Sequence, residues 1–203
     1  MSPVVWQSAI SSFTSSISLS SNPCVLFMFL YLTFCGYYWH LHGSAFSLFI
    51  YEHHNLMLLG ATGCGKTYIA CALGMAAARQ FLTVQYVRLP ELLTELAISR
   101  TTGTFSKTID KYKKPALLIL DEWLLYQLKD SEARDLLEIA EARYKKGSII
   151  FCSQFDVPGW RDKIGSPIIA DAICDRIVHD SYRIVIECEE SMRKVFGVDK
   201  ADA

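Results

Sequence analysis

The stretch Gly60-Ala61-Thr62-Gly63-Cys64-Gly65-Lys66-Thr67 sets a lysine and a hydroxyl directly behind a glycine-rich turn. Glycine, four residues, then Gly-Lys-Thr is the spacing of a phosphate-binding loop. The glycines let the backbone curl until its N–H groups point inward at phosphates, and a helix starting there adds the positive end of its dipole. In such a loop Lys66 reaches the β and γ phosphates and the Thr67 hydroxyl ligates Mg²⁺, and the expected nucleotide-binding set runs from Gly60 through Tyr68. The implied ligand is ATP with Mg²⁺.

That chemistry next needs a carboxylate at the tip of a neighbouring strand, and LLILDEW supplies two in a row. Asp121 is placed to hold Mg²⁺, directly or through water. Glu122, immediately beyond, is the candidate that orients or deprotonates an attacking water. An activated water suits hydrolysis better than transfer to a small hydroxyl acceptor. Ser153-Gln154 closes the apolar run SIIFCS and offers polar groups to the γ phosphate. Arg176 and Arg193 are further cations, but on spacing alone each pairs with a neighbouring acid, Asp175 for the first and Glu189 or Glu190 for the second.

Positioning these residues requires alternating strands and helices. Short apolar runs at 55–59, 83–87, 116–120, 148–153 and 182–187 read as strands. Helices are expected over 66–81, over 89–99 with Pro90 in the first turn, over 130–146 and over 167–179. In the third of these Asp130 or Ser131 is the expected cap, Ala133, Leu136, Leu137, Ala140 and Tyr144 share a face, and Gly147 is the stop. Continuous apolar strands between helices predict an α/β protein, a parallel five-stranded sheet in a three-layer α/β/α arrangement. No internal repeat is present.

With 203 residues the chain has room for one domain of ordinary size. Its net charge of −1 provides no global field to draw it onto nucleic acid. The seven cysteines have no metal-ligand spacing and read as buried thiols in a reducing cytosol. Residues 1–51 contain no Asp, Glu, Lys or Arg, a sharp boundary against 52–203. The apolar run at 24–39, extendable to 43, is compatible with a membrane anchor. A non-native extension in place of an original N-terminal region fits its lack of amphipathic period better, and a secretory signal would want a basic start. His40, His42, His53 and His54 lack partner acids or cysteines for a metal site.

From about residue 52 to 198 the sequence resembles the IstB-like branch of AAA+ ATPases, the helper ATPases of bacterial insertion sequences, related to DnaC-type helicase loaders. The resemblance rests on GATGCGKT, LLILDEW, CSQF and above all GWRDKIGSPIIADAICDRIVHDSYRIVIECEESMRK at 159–194. It implies a P-loop NTPase of AAA+ type, a homo-oligomer with ATP between protomers. Arg176 then resembles the arginine finger reaching a neighbour's site, and Arg193 the second sensor arginine. It also implies duplex DNA and a transposase as partners. Arg100, Lys107, Lys111, Lys113 and Lys114, in the connector at 100–115, form a local cationic loop for DNA phosphates or simply a solvated link. The family's usual charged, helical N-terminal region is not matched by residues 1–51. A DnaC-like helicase loader, a P-loop small-molecule kinase and a membrane-tethered ATPase are the rival readings.

Overall fold

The computed structural model describes Ser18–Leu19, residues 48–188, Ser191 and Met192. The strands are β1 (Ser18–Leu19), β2 (Asn55–Gly60), β3 (Val84–Arg88), β4 (Leu117–Trp123), β5 (Ser148–Ser153) and β6 (Ser181–Ile186). They form one sheet in the order β1-β6-β2-β5-β4-β3, parallel throughout. The five expected strands are all there. The sixth, β1, adds two residues to the β6 edge from within the charge-free segment.

The helices are α1 (Lys66–Arg79), α2 (Leu89–Thr101), α3 (Phe105–Lys113), α4 (Asp130–Arg143), α5 (Val157–Ile164) and α6 (Pro167–Val178). Successive strand side chains point to opposite faces of a sheet, so an apolar run through a central strand feeds two cores. Leu56, Leu58, Leu117, Ile119, Ile150 and Cys152 join Ala70 and Ala77 of α1 on one face. Met57, Leu59, Leu118, Leu120, Ile149 and Phe151 face the other, against α2, α3, α4, α5 and α6. The layers are therefore α/β/α, with α1 on the first face. Phe49 and Ile50, in the turn before β2, also pack into the α1 core.

Three local expectations are corrected. The connector at 100–115 contains a helix, α3, whose inner face is Ile109 and Tyr112. Asp130 and Ser131 lie inside α4 rather than capping it: the N-cap is Lys129, and its backbone N–H donates to Glu132 Oε2 at 2.8 Å. Helix α5, started by Asp156 accepting from the Gly159 N–H at 3.2 Å, was not expected at all. Among the described residues no helix is long and apolar enough to cross a membrane. The apolar stretch 24–43 and Arg193 lie outside the described residues.

Candidate nucleotide site

The phosphate loop, Asp121, Glu122, Ser153 and Gln154 lie at the carboxyl edge of the sheet, where parallel α/β folds bind ligands. Strand β2 ends at Gly60 and α1 begins at Lys66, so the loop between them faces that edge. Gly65 is the N-cap of α1 and sits at φ 85°, as does Gly63 at the loop's crest. Both positions need the left-handed conformation that glycine adopts without strain. Ala61 and Thr62 are exposed, Gly63 and Gly65 half-buried, and Cys64 is buried. The Lys66 ammonium is almost buried and donates to the carbonyls of Gly60 at 2.8 Å and Ala61 at 2.7 Å. Tyr68 is exposed on the outer face of α1.

Strand β4 brings the acids alongside. Asp121 is buried, and its Oδ2 accepts from Thr67 Oγ1 at 2.9 Å and from the Tyr86 hydroxyl at 2.9 Å. Its Oδ1 accepts from the Glu122 N–H at 2.9 Å. Burial first, then the hydrogen bond to Asp121, holds the Tyr86 phenol far above its ordinary range. Burial, with Asp121 as the second cause, likewise pushes up the thiols of Cys152 and Cys71. Tyr86 thus stays a neutral donor.

Glu122 sits where the β4–β5 register slips, between Leu120 and Trp123. Its φ is 55° and that of Leu124 is 53°, left-handed values that cost a non-glycine residue about 1–3 kcal/mol. Such a bulge re-aims a side chain. Here the Glu122 carboxylate turns toward β3, where Arg88 Nη2 holds it at 3.2 Å. Arg88 stands opposite Asp121 in the β3–β4 register and also pairs with Glu91 at 3.4 Å. The Glu122 hydrogen bond is the chief cause that raises the Arg88 guanidinium further.

Two strand-end residues behave differently from each other. Ser153 is buried, and its hydroxyl donates to the Trp123 carbonyl at 3.1 Å while accepting from Trp160 Nε1 at 2.9 Å and the Phe155 N–H at 3.1 Å. Its bonding capacity is used inside the Trp123–Phe151–Trp160 aromatic cluster. Gln154, the next residue, is exposed at the sheet edge.

Arg176 is far from this constellation. It lines a small cavity with His53, Asn55 and Gly147, at the edge where the strands begin. Its guanidinium donates to the Ala172 carbonyl at 2.7 Å and pairs with Glu141 at 2.9 Å. Four of the five cations at 100–115 are paired with acids, three of them on neighbouring helices. Arg100 pairs with Asp135 and lies over the Phe105 ring at 3.9 Å. Lys111 pairs with Glu95 at 3.0 Å, Lys113 with Glu138 at 2.6 Å and Lys114 with Asp110 at 2.7 Å. Of the five, Lys107 is the one without an ion pair among the described residues.

The sequence profile of the IstB-like ATP binding protein family matches residues 41–197. The chain belongs to that family. Insertion sequence ATP-binding protein y4pL of Sinorhizobium fredii is 43% identical over 142 residues, 70% of this chain. The matched stretch is 58% of that relative, so the chain spans somewhat over half its length. Among solved structures, DnaI superposes with a TM-score of 0.61 at 25% identity, covering 73% of this chain and 80% of DnaI. The DnaC helicase loader superposes at 0.58 with 19% identity, over 70% of this chain and 86% of that one. The fold of this IstB-like chain is that of P-loop AAA+ proteins. Arg88 and Tyr86 escaped the sequence reading; Arg88 ends the strand beside the acidic pair, opposite Asp121, a position that was itself a signal, whereas Tyr86 lies mid-strand opposite Ile119. The thiol reading needs correction too: Cys64 of the loop is disulfide-bonded to Cys188, while Cys71, Cys152 and Cys174 are free. Cys24 and Cys35 lie outside the described residues.

Proposed function

We propose that the chain is an Mg²⁺-dependent ATPase of AAA+ type that engages duplex DNA and serves a transposase, working as a homo-oligomer in the cytoplasm. The observation that carries the ATPase reading is the 2.9 Å contact between Thr67 of the loop and Asp121 of β4, with Glu122 on its strained bulge beside them. A hydroxyl and a carboxylate oxygen are hard donors, and Mg²⁺ is commonly held by one or two carboxylates with the remaining positions left to phosphate and water. These residues fit that ion, which would polarise the phosphates and neutralise developing charge.

In this reading the loop amides and Lys66 bind the phosphates, and Tyr86 fixes the Asp121 carboxylate through Oδ2, the oxygen that Thr67 also holds. Glu122 orients the attacking water once Arg88 releases it, so the Arg88 pair restrains hydrolysis until the site is assembled. Arg176, at the opposite edge of the sheet, cannot serve its own loop and acts on a neighbouring protomer. Gln154 faces the γ phosphate, with Ser153 as its structural support. Arg193 is assigned the second sensor role by family resemblance. Lys107 is the cation of its stretch most available to DNA, and Arg100, Lys111, Lys113 and Lys114 contribute there only by exchanging acidic partners for phosphates.

The transposase partner rests on the kinship with an insertion-sequence protein; the DnaC and DnaI likeness supports the fold and favours no partner. The helicase-loader alternative predicts co-purification with a helicase instead. The test is steady-state ATP hydrolysis by the full chain with and without duplex DNA, with Glu122→Gln as the blank. DNA-stimulated turnover above the blank supports the reading. Phosphate transfer to a small hydroxyl acceptor without release to water would replace it with the kinase alternative.

A further inference from the structure

The polypeptide that leaves β6 crosses back over the phosphate loop and is fastened there at three points. Cys188 is bonded to Cys64, their Cα atoms 5.6 Å apart across 124 residues of sequence. The Met192 N–H donates to the Gly63 carbonyl at 2.9 Å. The Ser191 side chain fills the space that a Cβ on Gly63 would take. In this arrangement Lys66 is turned onto the loop's own carbonyls at Gly60 and Ala61. The two cysteines differ in access: Cys64 is 1% exposed, whereas Cys188 is half-buried.

We propose that Cys64 and Cys188 form a reversible thiol–disulfide site that reacts with low-molecular-weight disulfides and, when oxidised, clamps the phosphate loop shut. The Cys188 thiolate attacks one sulfur of the small disulfide, forming a mixed disulfide and expelling a thiolate that takes up a proton. Cys64, reachable only from within, then attacks the Cys188 sulfur and expels the second small thiol. The two protein thiols lose two electrons and two protons, and the small disulfide gains them. A reductant thiol runs the same steps backward.

A clamped loop cannot follow a phosphate group as its ligand binds. The bound conformation becomes a minor state, and apparent affinity falls by the fraction of molecules still competent. This part rests on the ATP reading of the loop. Oxidation therefore weakens ATP binding by at least about tenfold, and reduction restores it.

The experiment uses the purified full chain, reduced or treated with oxidised glutathione, beside Cys188→Ser and Cys188→Ala. Three quantities are read: the Cys64–Cys188 linked peptide by mass spectrometry, amide hydrogen exchange over residues 60–67, and the ATP dissociation constant. Oxidised wild type is expected to yield the linked peptide, slower loop exchange and weaker ATP binding, all reversed by dithiothreitol. Both variants are expected to bind ATP as the reduced protein does, whatever the oxidant. Two separately glutathionylated thiols with no linked peptide would overturn the proposal. So would a linked peptide that leaves exchange and affinity unchanged. Absence of ATP binding by the reduced chain would sink the ATP reading and the affinity claim, while linked peptide and slowed exchange would still decide the clamp.

Discussion

Arg143, the last residue of α4, is only 1% exposed. Its Nη1 donates to the carbonyls of Tyr112 at 3.1 Å, Lys113 at 3.2 Å and Pro115 at 2.8 Å. Its Nη2 donates to Ala116 at 3.3 Å and Ser148 at 2.6 Å. One guanidinium thus ties the end of α3 and the entry to β4 to the start of β5. No carboxylate is in the set, and burial pushes the group down to about 10. Hydrogen bonds to a charged group each contribute about 1.5–3 kcal/mol. Against them stands the cost of burying the cation, several kcal/mol even after relaxation. Ala116 also retains the Ser148 N–H at 3.0 Å, so its carbonyl loses least. The net loss for Arg143→Ala is then about 3 kcal/mol, in the range of a broken buried network. For a chain of this size that lowers Tm by roughly 6–12 °C. Arg143→Lys should recover little, because an ammonium's three donors on one point cannot span carbonyls spread from Tyr112 to Ser148. Urea unfolding of reduced protein, followed by tryptophan fluorescence, measures this directly. An Arg143→Ala variant within about 0.5 kcal/mol of wild type, the range of an ordinary surface substitution, would refute the reasoning.

Arg88→Ala should raise basal ATP turnover and leave the ATP dissociation constant unchanged, because it frees Glu122 without touching the loop; unchanged turnover in single-turnover assays would show that the pair restrains nothing. Arg176→Ala should bind ATP and lose hydrolysis by about 10³-fold or more if it acts as a finger, and mixing it with Glu122→Gln should restore part of the activity. Failure of every mixture to recover turnover would count against a site shared between protomers. The hydrogen bond from Tyr112 is the chief cause that holds the Glu95 carboxyl below its ordinary value, with Lys111 assisting. A depressed folded-state value stabilises the fold above the ordinary glutamate range and is lost as pH falls through the depressed one. Glu95→Gln should therefore be less stable than wild type near neutrality and converge with it in acid, as pH-dependent urea melts would show.

Sequence pattern made the sheet legible because its central strands are apolar on both faces, and the loop and acids legible because their chemistry fixes their spacing. Helix α3 was hidden because only Ile109 and Tyr112 of its nine residues are buried, too few to show a helical period. Arg143 was hidden because nothing local marks a buried arginine whose acceptors are backbone carbonyls on other elements. Gly147, expected as a helix stop, also leaves room for it: a Cβ there would meet Arg143 Nη2 at 2.9 Å. Ser153 has the right place for a phosphate sensor, but its hydroxyl is spent on Trp123 and Trp160, partners that only the tertiary fold brings near. Cys64 and Cys188 are joined by the return of the chain over its own loop, and that path leaves no trace in cysteine spacing.

The central claim is that the Gly60–Thr67 loop and Asp121 form one Mg²⁺–ATP site. The most direct measurement is equilibrium ATP binding to the reduced full chain with and without Mg²⁺, beside Lys66→Ala and Asp121→Ala. The account predicts that binding is lost with Lys66→Ala, and that Asp121→Ala removes the dependence on Mg²⁺. Equal ATP binding by wild type and Lys66→Ala would contradict it.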